Sequence, residues 1–133
     1  MQQVKVWVWV IIYKSDKVLL WKRKNSHGEN TWSFPWWHLE FWETFEDCAN
    51  RETLEESWIT LKNIEYFWTT NDIFTEDNKH YVTIFMKWEY NSWEVKLLEP
   101  EKCLEWKWFD KDDLPKNLFL PIKNLLKEKR NLL

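Results

Sequence analysis

Gly28 is the only glycine in this 133-residue chain, and that scarcity limits the folds open to it more than any other feature. Average usage near 7% would supply about nine. Tight turns, helix ends and close backbone approaches ordinarily rely on glycine, which adopts positive φ without steric cost. Tryptophan is correspondingly abundant, with 13 residues, more than a core of this size needs. Several stand where a chain should turn. Trp36 and Trp37 follow Pro35, Trp58 ends a helical run, and Trp88 and Trp93 flank the hairpin-like WEYNSW. A surplus of one residue type where another is missing suggests replacement, with tryptophan at about ten positions suited to glycine.

The remaining bounds are ordinary. Residues 1–133 suit one domain with a real core. A net charge of −3 weighs against a broad grip on duplex nucleic acid. Cys48 and Cys103 have neither metal-type spacing nor a disulfide framework, which suggests a reducing, cytoplasmic setting. MQQVKVWVWVIIY lacks the pattern of a secretory leader, and no apolar run approaches the roughly 18 residues of a membrane span.

VKVWVWVIIY is β-branched and aromatic throughout and predicts a strand buried on both faces. KSD turns into KVLLWKRK, a second strand with a basic end at Lys22, Arg23 and Lys24. NSHGEN, residues 25–30, is a loop, and TWSFP is a short extended piece ended by Pro35. Residues 44–57 predict the clearest helix. Strand-like runs follow at IEYFWTTNDIF, HYVTIFMKWEY and EWKWFD, then the loop LPKNLFLP. A closing helix starts near Pro121, with Ile122, Leu125 and Leu126 on one face. Strands around one central helix, with a second helix at the end, make a mixed α/β domain.

The central helix carries the chemistry. Thr44 with Asp47 reads as its N-cap and acidic partner, and Phe45, Cys48 and Ala49 define its apolar stripe. At 100° per residue, Glu52 and Glu56 project along the line of Phe45, and Glu55 lies near Cys48. A solvated acidic face is the ordinary reading of RETLEES. Yet carboxylates at these spacings repel one another, and burying them costs several kcal/mol unless a cation joins them. Magnesium answers that need, because it takes oxygen ligands and keeps waters and substrate phosphates in its shell.

From Trp37 to Ile59 the chain resembles the Nudix box: glycine, five residues, Glu, seven residues, Arg-Glu-x-x-Glu-Glu, one residue, glycine, an aliphatic. Glu43, Arg51, Glu52, Glu55, Glu56 and Ile59 fall at the required places. With WKRK, HLEF, HYVTIFMK and EPEKCLEWKWF, the likeness runs over roughly residues 4 to 127 and is strongest to the MutT-type nucleoside triphosphate diphosphatases. The resemblance implies a Nudix fold, a mixed β-sheet sandwiched between helices (α/β/α). It implies Mg2+, with Mn2+ as an alternative, held by Glu52, Glu55 and Glu56 and by the backbone carbonyl of Trp36. Glu52 or Glu56 would also serve as general base, and Arg51 would orient Glu52 and pair with Glu43. Glu101 or Glu99 would add a carboxylate from a loop that otherwise reads as plain surface. Arg23 would meet a phosphate, unless it is a solvated strand end, and His38 would lie near the phosphates, unless it is structural. Thr83, Leu118 and Phe119 resemble the base pocket, while His27 and His80 read as surface or structural.

The implied reaction is hydrolysis of a nucleoside triphosphate, dGTP-like or a modified purine, to monophosphate and pyrophosphate. A nucleotide is the expected partner, with no nucleic-acid duplex and no membrane, and a homodimer is implied by the branch. The departures coincide with tryptophans. Trp36, Trp37, Trp58, Trp7, Trp9, Trp21, Trp42 and Trp88 replace family glycines, with Trp68 and Trp93 in the same set. Trp32, Trp106 and Trp108 fit family aromatic positions. The Trp36 and Trp37 indoles would compete for the substrate's space, and a left-handed Trp58 would cost roughly 1–2 kcal/mol. Several such costs together rival the roughly 5–15 kcal/mol stability of a domain, so poor folding is the expectation for such a chain. The rival readings are a non-catalytic nucleotide-binding module, a Gly-to-Trp variant with impaired activity, and an aromatic surface that stacks single-stranded nucleic acid.

Overall fold

Strand β1 (Lys5–Lys14) is the hub of the sheet. Every residue from Trp7 to Ile12 is buried, as the apolar run predicts for a strand covered on both faces. The structure, a computed structural model, describes residues 2–23, 29–49, 64–89 and 103–132, without the side chains of 103, 104 and 106. Arg51, Glu52, Glu55, Glu56, Trp58, Trp93, Glu99 and Glu101 lie outside the described residues.

A turn with Ser15 at φ 52° leads into β2 (Lys17–Arg23), which runs antiparallel to β1. β3 (Trp32–Ser33) pairs with β2, and β4 (Trp36–His38) with β1. β5 (Glu65–Phe74) and β6 (Lys79–Glu89) form an antiparallel hairpin, and β6 runs parallel to β1 from Lys5↔Tyr81 to Tyr13↔Glu89. β7 (Cys103–Asp110) closes the far side against β2. The seven-stranded mixed sheet has the order β3-β2-β1-β6-β5, with β4 and β7 branching from β1 and β2.

Period-two alternation gives β1 two different faces. Trp7, Trp9 and Ile11 join one core cluster, which includes Tyr81, Phe85 and Phe119, and Val8, Val10 and Ile12 join the other. Helix α1, with described residues 45–49, lays Cys48 and Ala49 on the second face. Helix α2 (Leu120–Glu128) lays Ile122 and Leu125 on the first. Helices thus cover opposite faces of the sheet, the α/β/α arrangement expected. α1 opens with a reciprocal cap: Asp47 N–H donates to Thr44 Oγ1 at 3.0 Å, and Thr44 N–H to Asp47 Oδ2 at 3.3 Å.

One expectation is corrected. Trp36 and Trp37 sit in a strand, not a turn, because β4 pairs in register with β1 at Trp7↔His38, Val8↔Trp37 and Trp9↔Trp36. Strand alternation then separates their indoles. Trp36 joins the Trp7 face, and Trp37 joins the α1 face beside Cys48. Both are buried.

Trp42 is where the want of glycine shows in the backbone. It has φ 73° and is 87% exposed, so its indole offsets little of the left-handed cost. Among the described residues, the other positive-φ residues that are not glycine are Ser15, Asn30 and Asn78, and asparagine tolerates this region better than an aromatic residue does. Trp42→Gly should raise unfolding stability by about 0.5–1 kcal/mol, after allowing for glycine's greater freedom in the unfolded chain. The readout is a higher urea midpoint at unchanged slope; an unchanged or lower midpoint contradicts the strain.

Candidate functional site

Five residues singled out for substrate contact gather around the first face of the sheet. Arg23 ends β2 and is only 2% exposed. Its guanidinium carbon lies 4.1 Å from the Phe119 ring centroid and 5.0 Å from that of Trp36. It is therefore not a solvated strand end. Burial pulls its pKa down to about 10, partly offset by Tyr81, and it stays cationic at neutral pH. The Trp36 ring also meets the His38 ring, at 5.3 Å and 83°. Leu118 is buried and bridges to Trp32, placing Phe119 beside Arg23.

Thr83, fully buried on β6, accepts a hydrogen bond from Trp7 Nε1 at 2.5 Å and donates to Asp72 Oδ2. Asp72 is also buried. It accepts from Thr70 Oγ1 at 3.0 Å and from Asn124 Nδ2 at 2.7 Å, which ties α2 to the hairpin. Asp72 and Tyr81 are not singled out by the sequence, and Trp7 only as a tryptophan at a family glycine position. The signal for Asp72 was there: on β5 the buried positions alternate as Thr70, Asp72 and Phe74, so a carboxylate falls on a core position. Tyr81 becomes a neighbour of Trp7 only through the β1–β6 register.

The backbone of β4 bears on the metal assignment. Val10 N–H donates to the Pro35 carbonyl at 2.9 Å, and Leu39 N–H to the Val6 carbonyl at 3.1 Å. Those bonded pairs alternate with non-bonded ones, and Trp9↔Trp36 is one of the latter. The Trp36 carbonyl is therefore directed away from β1, as a carbonyl that serves a cation requires. The same alternation turns the His38 carbonyl off β1, where it accepts from Cys48 Sγ at 3.4 Å and fastens α1 to β4.

A family profile described as "NUDIX domain" matches residues 1–129. The chain is 33% identical over 113 residues to the "NAD-capped RNA hydrolase NudC" of Salmonella heidelberg, covering 85% of this chain and 42% of the relative. The Escherichia coli protein of that name is 32% identical over the same length. The chain thus spans less than half the length of these curated relatives. Among solved structures, a MutT NUDIX hydrolase from Burkholderia pseudomallei superposes with a TM-score of 0.83 at 26% identity, over 96% of this chain and 99% of that one. The NUDIX domain of Shewanella oneidensis NrtR, solved with ADP ribose, superposes with a TM-score of 0.73 at 18% identity, over 98% and 88%. No described helix is long and apolar enough to cross a membrane.

Burial raises the Asp72 pKa above the ordinary 3.8; hydrogen bonds from Thr83, Asn124 and Thr70 counter it, and nearby Glu128 adds to the rise. The folded protein therefore holds this proton more tightly than the unfolded chain does. The stability so contributed is complete below about pH 3.8 and is lost as pH rises through the higher folded value. Asp72→Asn should remove that falling limb. Urea unfolding of both proteins across this window checks it, and parallel pH profiles would contradict it.

Proposed function

This chain belongs to the Nudix family, and we propose on that premise that it hydrolyses a phosphoanhydride bond in a nucleotide. The preferred substrate in this reading is a nucleoside triphosphate, dGTP-like or a modified purine, giving monophosphate and pyrophosphate. The observation that carries it is the full set of charged box positions, Glu43, Arg51, Glu52, Glu55 and Glu56, inside the matched domain.

Glu52, Glu55, Glu56, the Trp36 carbonyl and Glu101 would hold Mg2+, or Mn2+ in its place; the outward turn of that carbonyl fits the assignment. Bound there, the ion would neutralise the polyphosphate and ease ionisation of the attacking water. Glu52 or Glu56 takes the water's proton as its oxygen bonds to phosphorus, and the bond to the leaving pyrophosphate breaks. Arg51 orients Glu52. Arg23, cationic and held between Trp36 and Phe119, would stabilise a phosphate oxygen. Thr83, Leu118 and Phe119 would border the base, and His38 would lie near the phosphates.

One observation favours a second reading, a variant of impaired activity. The indoles of Trp7 and Trp36 pack among those same residues, with centroids 5.0 Å apart. The relatives' name adds a substrate alternative, a dinucleotide pyrophosphate such as an NAD cap, whose scissile bond has the same chemistry.

With Mg2+, pyrophosphate release from dGTP and monophosphate release from NAD distinguish the two substrates. Glu56→Gln should lower the rate about 10²–10⁴-fold, the usual range for losing a general base. The loss should appear both in this chain and in a counterpart with glycine at 7, 36 and 37, which should be the faster. Undiminished turnover by Glu56→Gln in both backgrounds would overturn the reading.

A further inference from the structure

Lys5 opens β1 and Lys79 opens β6, and both are exposed. Parallel pairing sets Lys5 beside Tyr81, and the hairpin sets Lys79 across from Phe74. These four residues line one groove of about 740 Å³ at the hairpin end of the sheet, together with Ile73 and His80 among others. Arg23, His38, Thr83, Leu118 and Phe119 do not line it, so the groove is distinct from the residues assigned to the nucleotide.

Charge sets this groove apart. The chain carries a net −3, yet no Asp or Glu among the described residues lines it. Glu76 and Asp77 sit at the tip of the β5–β6 turn, but only their neighbours Thr75 and Asn78 reach the lining. Lys22, Lys87, Lys107 and Lys129 each lie over an aromatic ring. Lys5 and Lys79 have no ring or carboxylate partner among the described residues. Two ammonium groups facing one cavity without a counter-charge favour an anion there. Ile73, 54% exposed, adds an apolar wall. Across from it in register, His80 is held with Nε2 at 2.5 Å from Asn71 Oδ1.

We propose that this groove is a second binding site, for a small phosphate monoester. Its volume is that of a small-molecule site, and two lysines match the charge of about −1.5 to −2 that a phosphate monoester carries at neutral pH. Lys5 and Lys79 take the phosphate, and Ile73 covers an apolar or ring-bearing body. The site needs neither a metal nor the box carboxylates.

The test is isothermal titration calorimetry of the full-length chain with phenyl phosphate, at fixed low ionic strength and without divalent ions. Lys5→Gln combined with Lys79→Gln should weaken binding at least about tenfold, through loss of two charge-assisted contacts. Lys17→Gln combined with Lys127→Gln removes the same charge elsewhere and should change it less than about twofold. Inorganic phosphate should bind about tenfold more weakly than phenyl phosphate, and Ile73→Ser should narrow that preference. All five substituted positions are exposed, so the fold is retained. Four results overturn the site: no binding, equal weakening by the two lysine pairs, equal affinity for the two anions, or a preference untouched by Ile73→Ser. None of them bears on hydrolysis, which the Glu56→Gln assay decides separately.

Discussion

A peptide group removed from water must find a hydrogen-bond partner within the protein, and β1 is where that demand is most severe. From Trp7 to Ile12 it is covered on both faces, so only its two edges can supply partners. β6 takes one edge along its whole length, in parallel. The other is shared, with β4 at Trp7–Trp9 and β2 at Tyr13–Lys14. This division explains why three residues as bulky as Trp36, Trp37 and His38 form a strand. The edge they occupy would otherwise leave buried β1 amides without acceptors.

The same pairing decides what each face of the sheet can do. Residues in register across β1, β4 and β6 point the same way, so Trp7, Trp9, Trp36, His38, Tyr81 and Thr83 share one side. Arg23 and Phe119 reach that side from β2 and from the start of α2. A buried cation there is tolerable because aromatic faces partly replace its lost water, and Arg23 keeps its charge at neutral pH. Asp72 has a different solution, three donors from three elements, and those donors only partly offset the cost of burial.

The two faces also divide the labour between the helices. α2 packs on the aromatic side, where Asn124 reaches Asp72. α1 packs on the other side, capped by Thr44 and Asp47 and tied by Cys48 to the His38 carbonyl. β4 is thus joined to β1 through its bonded positions and to α1 through a non-bonded one. That arrangement sets the strand bearing the Trp36 carbonyl beside the start of α1.

Much of this was legible in the chain because it depends on local periodicity. The β1 run, the capping pair at Thr44 and Asp47, the Phe45–Cys48–Ala49 stripe and the Ile122–Leu125 face follow from spacing alone. So does the charged pattern from Glu43 to Glu56, whose spacing points to a family whatever surrounds it. Strand pairing across long separations was not legible, because register depends on partners far away in sequence. That pairing alone made a strand of Trp36–His38, sent neighbouring indoles to opposite faces, stacked Trp7 on Tyr81 and enclosed Asp72. The sequence by itself determined the periodic elements, though not β4, and the acidic composition of the box. The tertiary structure decided which side chains share a face, since two residues meet across a sheet only once hydrogen-bond register has aligned their strands.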